Sequence, residues 1–213
     1  MKFQEFLELV PKLKKTKFDG TLSHLKMMPP NRTALIKMAK EKYSSHKKAA
    51  VLALFYPCDI GRVNIALILR KTYKGVHSNQ VGFPGGKYED SDGSLEYTAL
   101  RETEEEVGVS ISKIDMITTL TKVYIPPSNY MVYPFFGFCK DHLNFKIQES
   151  EVEKMIEIPL DFLLDDKAEI KSEQLTATNK ILTVPAFKLG DYHVWGATAM
   201  ILSELKDLCK NNL

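Results

Sequence analysis

Cysteine is scarce: Cys58, Cys139 and Cys209 stand far apart, and no Cys-x-x-Cys pair occurs. Such a set supports neither a disulfide framework nor a zinc site, so free thiols, mostly buried, are expected. Long apolar runs are also missing, since no stretch approaches the roughly 20 residues that a membrane helix needs. The opening Met-Lys-Phe-Gln-Glu-Phe-Leu-Glu carries acids where a secretion signal has its apolar region. The chain therefore reads as soluble and cytoplasmic, without a membrane partner. It has little excess charge, with 29 basic residues against 27 acidic ones and a net charge of +2. That excludes the dense positive surface of a protein whose main task is gripping a nucleic-acid backbone, while small anions remain acceptable ligands. Internal repeats and low-complexity linkers are lacking too. At 44% hydrophobic and 26% charged, the 213 residues suit one packed domain with a short extension.

What is present reads as an α/β chain. Phe3, Phe6, Leu7, Val10 and Leu13 fall at helical spacing and predict a helix over Phe3 to Lys15; a second helix is expected over Thr33 to Lys42, after Pro29-Pro30-Asn31. Residues 1–46 thus form a helical N-terminal extension and residues 47–213 the main domain. Apolar runs of strand length follow at Ala50 to Tyr56 and Asn64 to Leu69, around the turn cluster Pro57-Cys58-Asp59-Ile60-Gly61. Further strands are expected at Ile117 to Tyr124, Met131 to Phe138, Met155 to Ile158 and Lys180 to Phe187, and helices at Leu95 to Val107 and Ala197 to Lys210. Interspersed strands and helices predict a mixed sheet packed between helices.

The stretch from Phe83 to Val109 carries the chemistry. Pro84-Gly85-Gly86 permits backbone conformations closed to other residues, Ser94 is a candidate N-cap, and Gly108 is placed to end the helix between them. At 3.6 residues per turn Glu102, Glu105 and Glu106 share an arc of about 100°, beside the apolar arc of Leu95, Ala99, Leu100, Thr103 and Val107. Like charges at these spacings repel. Such a run is ordinarily a solvated acidic face, but next to a glycine loop it suits a hard divalent cation with oxygen ligands, Mg²⁺ above all. Arg101 is spaced to orient one of these carboxylates, or a loop acid, through a forked hydrogen bond.

These residues resemble the signature of the Nudix hydrolases: Gly, five residues, Glu, seven residues, then Arg-Glu-aliphatic-x-Glu-Glu-x-Gly-aliphatic. Gly86, Arg101, Glu102, Glu105, Glu106, Gly108 and Val109 match it. Asp92 stands where the first Glu is usual, eight residues rather than seven precede Arg101, and Thr103 replaces an aliphatic residue. The resemblance implies a Nudix-type α/β/α sandwich with a mixed sheet. It also implies Mg²⁺ or Mn²⁺ held by Glu102, Glu105 and Glu106 with a carbonyl near Gly85 and Gly86, and attack of water on a nucleoside diphosphate derivative. A general base is needed; Glu105 or an acid of Glu149-Ser150-Glu151-Val152-Glu153 could serve. Arg101, Glu105 and Glu151 are taken as the catalytic set.

Three flanking segments resemble the branch of that family that cleaves coenzyme A: His77 to Gly86, Tyr124-Ile125-Pro126-Pro127-Ser128-Asn129, and Trp195-Gly196-Ala197-Thr198-Ala199. The branch's substrate motif is kept at Leu67 and Arg70 but departs from it at Ala66, Ile68, Lys71, Gly75 and Asn79. The resemblance implies a CoA-like nucleotide as the small-molecule partner, met by Arg70, Lys74, His77, Gln80, Gly85, Gly86, Pro127 and Ser128. Tyr124, Tyr130, Phe136 and Trp195 are available for stacking, although aromatics in strands are more often core. ADP-ribose, a dinucleotide or a nucleoside triphosphate is the alternative substrate, and a nucleotide-binding module without turnover is the alternative from another class. A homodimer is compatible with the sequence.

Overall fold

The computed structural model describes residues 1–39, 45–71, 80–175 and 181–213. Helices α1 (Phe3–Lys15), α2 (Thr21–Lys26) and α3 (Arg32–Met38) lead in, followed by strands β1 (Lys47–Pro57), β2 (Val63–Arg70), β3 (Val81–Gly82) and β4 (Gly85–Lys87). Helix α4 (Leu95–Val107) precedes β5 (Ile114–Thr119), β6 (Val123–Ile125), β7 (Tyr130–Cys139) and β8 (Val152–Pro159). A short α5 (Leu160–Leu164), strands β9 (Glu169–Leu175), β10 (Ile181–Leu189) and β11 (Tyr192–Trp195), and α6 (Gly196–Lys210) complete the order.

Strand β1 is the axis of the molecule. It runs parallel to β7 from Lys47↔Tyr130 to Phe55↔Phe138, and antiparallel to β2 and β4 on its other edge, so the eight-stranded sheet is mixed. Its apolar run is continuous because both faces are covered. Ala53 and Phe55 join Phe6, Leu13, Ile65, Leu67, Phe136, Leu202 and Leu205 on one side; Ala50, Leu52, Leu54 and Tyr56 join Ala99, Leu100, Val107 and Val152 on the other. The α4 layer therefore lies on one face, and α1 with α6 on the opposite face. This is the expected α/β/α sandwich. A second, three-stranded antiparallel sheet, β11-β10-β9, adjoins α6.

The N-terminal helix packs into the same core as the sheet: Phe6 is tilted on Phe55 at 5.5 Å and edge-on to Phe138 at 5.8 Å between ring centroids. Helix α2 is tied to α6 by a buried contact of His24 Nε2 with Glu204 Oε2 at 2.8 Å. Several elements differ from the sequence expectation. Ile117 to Tyr124 is not one strand: the chain breaks after Thr119, and Leu120 donates its N–H to the Pro134 carbonyl at 2.9 Å before β6 begins. The expected second helix spans Arg32–Met38 rather than Thr33 to Lys42, and residues 40–44 lie outside the described residues. Cys139 and Cys209 are buried free thiols and Cys58 is half-buried. Among the described residues no helix is long and apolar enough to cross a membrane.

Candidate functional site

The edge of β1 opposite β7 is shared by two partners in series, and that arrangement builds the site. Strand β2 pairs with β1 only from Leu54↔Ala66 to Pro57↔Val63. Beyond that it parts from β1, pairs instead with β3 at Ile68↔Gly82 and Leu69↔Val81, and leaves a gap that β4 fills at Val51↔Gly85, Ala50↔Gly86 and Ala49↔Lys87. The glycine loop is thus wedged between two strands and pinned by the Leu52 N–H on the Pro84 carbonyl at 2.9 Å. Gly85 has φ +139°, and a Cβ there would lie 2.3 Å from the Ala50 carbonyl oxygen and 2.5 Å from Val51 Cα. Only glycine fits.

Helix α4 crosses this loop. It starts on the Ser94 cap, whose Oγ accepts the Tyr97 N–H at 3.1 Å, and ends at Gly108 with φ 74°. Its three glutamates differ in depth: Glu106 is 1% exposed, Glu102 is half-buried and Glu105 is exposed. Glu106 accepts the Gly85 N–H at 2.8 Å and Arg70 Nη1 at 3.3 Å. Burial pushes its carboxyl up to about 7, against the pull of Arg70 and of the Gly85 N–H, with Glu102 and Glu151 adding to the rise. Glu102 is also raised, first by burial and further by the charges of Glu105 and Glu151. Its carboxylate lies directly over Gly86, where a Cβ would come within 2.3 Å of Oε2.

Arg101 is the hub beside them. It forks onto Asp92, with Nε to Oδ1 at 2.7 Å and Nη2 to Oδ2 at 3.1 Å, and reaches Glu105 at 3.0 Å, Glu102 at 3.2 Å and the Lys87 carbonyl at 3.2 Å. Asp92 is buried and further held by Thr98 Oγ1 at 2.8 Å and the Glu89 N–H at 3.0 Å. The Arg101 fork holds the Asp92 carboxyl well below the usual carboxylate range. The loop acid expected from the sequence is therefore Asp92, in the role of an anchor for Arg101. Among the described residues no three acidic, histidine or cysteine side chains converge on one point at metal-ligand spacing. The glutamates are turned to Arg101 and Arg70 instead, a donor set of oxygens alone, of the kind that suits a hard divalent ion.

Glu151 is brought to this cluster by a device that spacing along the chain does not reveal. The last turn of α4 offers its free carbonyls to the segment before β8: Lys146 N–H bonds the Val107 carbonyl at 3.0 Å and Gln148 N–H the Glu106 carbonyl at 2.9 Å. A turn then closes with Glu151 N–H on the Gln148 carbonyl at 3.0 Å, and Lys71 N–H takes the Glu151 carbonyl at 2.9 Å beside the end of β2. The charge of Glu151 acts on both Glu102 and Glu106. Glu153, two residues on, instead lines a separate cleft of about 700 Å³ with Tyr56's partner Glu157, Asn64 and His142.

Of the residues expected to meet substrate, Arg70 is turned inward, with Nη2 on the Gly85 carbonyl at 2.8 Å. Gln80 lies at the approach to β3, its carbonyl accepting the Arg70 N–H at 3.0 Å. Lys74 and His77 lie outside the described residues. Pro127 and Ser128 form the turn between β6 and β7, closed by Asn129 at φ 56° and by Tyr124 Oη on Asn129 Oδ1 at 2.9 Å. Arg32 of α3, buried, donates to the Tyr124 carbonyl at the foot of this turn. Phe136 and Tyr124 are core, whereas Tyr130 and Trp195 are half-buried. Trp195 caps α6, and three residues later Thr198 Oγ1 donates to the Val81 carbonyl at 3.0 Å, joining the Trp-Gly-Ala-Thr segment to the strand that faces Arg70.

The family model described as NUDIX domain matches residues 46–178. The chain is similar to "Nudix hydrolase 15, mitochondrial" of Arabidopsis thaliana, 32% identical over 161 residues, which are 73% of this chain and 56% of that protein. It thus spans little more than half the length of that relative. It is also similar to "Uncharacterized Nudix hydrolase NudL" of Escherichia coli, 30% identical over 202 residues, 88% of this chain and 92% of that protein. Among solved structures, a Nudix hydrolase from M. Smegmatis, RenU, aligns with TM-score 0.54 and 15% identity over 78% of this chain and 87% of its own. A MutT/nudix family protein from Enterococcus faecalis aligns with TM-score 0.54 and 14% identity, covering 92% of this chain and 76% of its own. These two likenesses concern the fold.

Proposed function

Because this chain belongs to the NUDIX domain family, we propose that it is a metal-dependent hydrolase of a CoA-like nucleotide, cleaving the diphosphate of coenzyme A or its esters. The products would be 3′,5′-ADP and 4′-phosphopantetheine or its acyl form. The observation that carries the catalytic reading is the placement of the Glu102 and Glu106 carboxylates against the Gly85-Gly86 loop. Four oxygen-bearing groups, Glu102, Glu105, Glu106 and a carbonyl of the loop, would hold Mg²⁺ or Mn²⁺. When bound, the cation neutralises the diphosphate and acidifies a water.

The remaining work falls to the chain's own groups. Arg101, fixed by Asp92, orients Glu102 and Glu105 so that their oxygens stay on the loop side of α4. Glu151, on the exposed turn facing Glu102 and Glu106, is the base that takes the proton of the attacking water at a carboxylate oxygen; Glu105 is its rival. The wedge of β3 and β4 sets where the diphosphate lies, because its backbone offers no side chain at Gly85 or Gly86. Residues 47–213 would form the catalytic unit, with residues 1–46 as its extension, acting in the cytoplasm.

The CoA substrate is supported by the three segments that resemble the CoA-cleaving branch, two of which meet where Thr198 bonds Val81. Arg70, the arginine retained from that branch's motif, faces Glu106 rather than open cleft, and this favours another nucleoside diphosphate derivative as the second reading. Incubation with CoA, ADP-ribose, a dinucleotide and a nucleoside triphosphate, each with Mg²⁺, and identification of the products separates the two. Release of 3′,5′-ADP from CoA in preference to cleavage of the others is expected. Tight nucleotide binding with no metal-stimulated cleavage of any of them would overturn both readings in favour of a binding module.

A further inference from the structure

The two arginines of the site hold its carboxylates differently. Arg101 is anchored by the fork onto buried Asp92 at 2.7 and 3.1 Å, and Asp92 is itself tied to Thr98 and the Glu89 N–H. Among the described residues Arg70 has no such anchor. Its side chain is 26% exposed, and it bridges the cleft between loop and helix with one good bond to the Gly85 carbonyl, at 2.8 Å, and one long ion pair to Glu106, at 3.3 Å. Both acceptors, a backbone carbonyl and a carboxylate, are oxygens of the kind a hard divalent ion takes. A carboxylate as deeply buried as Glu106 is costly to leave without a counter-charge, and Arg70 supplies one.

We propose that Arg70 is the internal counter-cation of the metal-free site, competing with the divalent ion for Glu106 and the Gly85 carbonyl, so that loading of the ion turns the guanidinium out toward the diphosphate. The inference rests on the metal-dependent reading above. Arg70 rather than Arg101 gives way because its ion pair is single and long, whereas leaving Asp92 would strand a buried acid. On the β3 side the residue beside the guanidinium is Gly82, where a built Cβ would lie 3.6 Å from Arg70 Nε and 3.9 Å from Thr198 Oγ1, so that residue sets no side chain of its own against Arg70. Loading and substrate recognition would then be coupled, with the arginine available to a phosphate only after the ion has taken its place.

The test is made on the full chain without substrate. Mn²⁺ binding, followed by the electron paramagnetic resonance signal of the free ion, is compared for wild type, Arg70→Gln and Arg70→Lys. Arg70→Gln should bind the first Mn²⁺ about 5–10-fold more tightly than wild type, the size expected for removing one competing, partly screened cation. Arg70→Lys, which keeps the charge without the fork, should fall between them. A second readout needs only folded wild type: the Arg70 Nε–Hε nuclear magnetic resonance signal, recognised by its loss in Arg70→Lys, should shift on adding Mg²⁺ while that of Arg101 stays in place. Unchanged or weaker Mn²⁺ affinity in Arg70→Gln, or an Arg70 signal indifferent to Mg²⁺, overturns this inference and leaves the hydrolase reading standing. A wild type that binds no Mn²⁺ at millimolar concentration overturns both.

Discussion

Gly85 and Gly86 are neighbours in sequence and should respond oppositely to the same substitution. At Gly85 an added Cβ meets backbone, 2.3 Å from the Ala50 oxygen and 2.5 Å from Val51 Cα, at φ +139°. Neither neighbour can rotate away. The positive φ alone costs about 1–3 kcal/mol in any other residue. Parting β4 from β1 also removes the Gly85 N–H from Glu106, and a buried acceptor left short of a partner costs roughly another 1–3 kcal/mol. Gly85→Ala should therefore lose about 2–6 kcal/mol, a fall in Tm of roughly 4–24 °C for a chain of this size.

At Gly86 the backbone lies outside the left-handed region, and the atoms in the way are the carboxylate of Glu102, at 2.3 to 2.5 Å. That is the far end of a flexible side chain, so the clash is relieved by turning Glu102 aside at the cost of its 3.2 Å bond from Arg101. Alanine also narrows the unfolded ensemble, worth about 0.4–1 kcal/mol in the other direction. Gly86→Ala should stay within about 1 kcal/mol of wild type in urea unfolding, yet lose about 10–100-fold in Mg²⁺-dependent cleavage, as expected when a positioned group moves by an ångström. Paired urea titrations and initial rates decide the matter. A stable Gly85→Ala, or a fully active Gly86→Ala, would refute the assignment of the first glycine to the sheet and the second to the carboxylate.

Glu106→Gln and Glu105→Gln should each lower cleavage more than tenfold, or about 1.4 kcal/mol in barrier; a smaller loss in steady-state rates removes that residue from the ligand set. Asp92→Asn should destabilise the fold by roughly 3 kcal/mol at pH 7, because it leaves Arg101 without its buried partner charge. The folded-state carboxyl of Asp92 is depressed below its ordinary value of 3.8, so its stabilisation is fully present above that value and is lost as pH falls below it. The gap between wild type and Asp92→Asn should hold constant from pH 5 to 7 and close in more acid buffer, as followed by urea titration. Ser94→Ala should cost about 1 kcal/mol through the lost cap on Tyr97 N–H, with little change in rate beyond that; a rate loss exceeding the stability loss would place Ser94 in the cleft.

The helix that carries the glutamates is legible in the sequence to its ends. Ser94 and Gly108 cap it as expected, because capping depends on side-chain oxygen and backbone freedom at single positions. The helix Phe3–Lys15 is legible for a related reason, since its apolar stripe is local and its burial follows the stripe. Strands were readable where both faces are buried, as in β1 and β7. They were missed where pairing rather than composition defines them: β4 is three residues, two of them glycine, and exists only because β2 leaves β1 there. Strand β9 (Glu-Ile-Lys-Ser-Glu-Gln-Leu) is largely polar and β11 is only four residues, so neither carries a clear strand pattern, and it is their common partner β10 that fixes them.

The site divides along the same line. Spacing on one helix was enough to group Glu102, Glu105 and Glu106, but not to rank them, because depth depends on what the helix packs against. Glu106 is buried by the β2–β4 wedge, Glu102 lies over Gly86, and Glu105 faces out. Arg101 was legible as a fork, and Asp92 is its acceptor despite the additional residue between them: the chain turns at Gly93, φ 68°, and Asp92 still reaches Arg101 Nε at 2.7 Å. The inward turn of Arg70 and the delivery of Glu151 were not legible. Each depends on a hydrogen bond across the chain, to the Gly85 carbonyl in one case and from Gln148 to the end of α4 in the other. Sequence thus names the charges, and the wedge at the edge of β1 decides which of them meet. An acid placed on a different helix turn would keep the motif's composition and lose its contact with the loop.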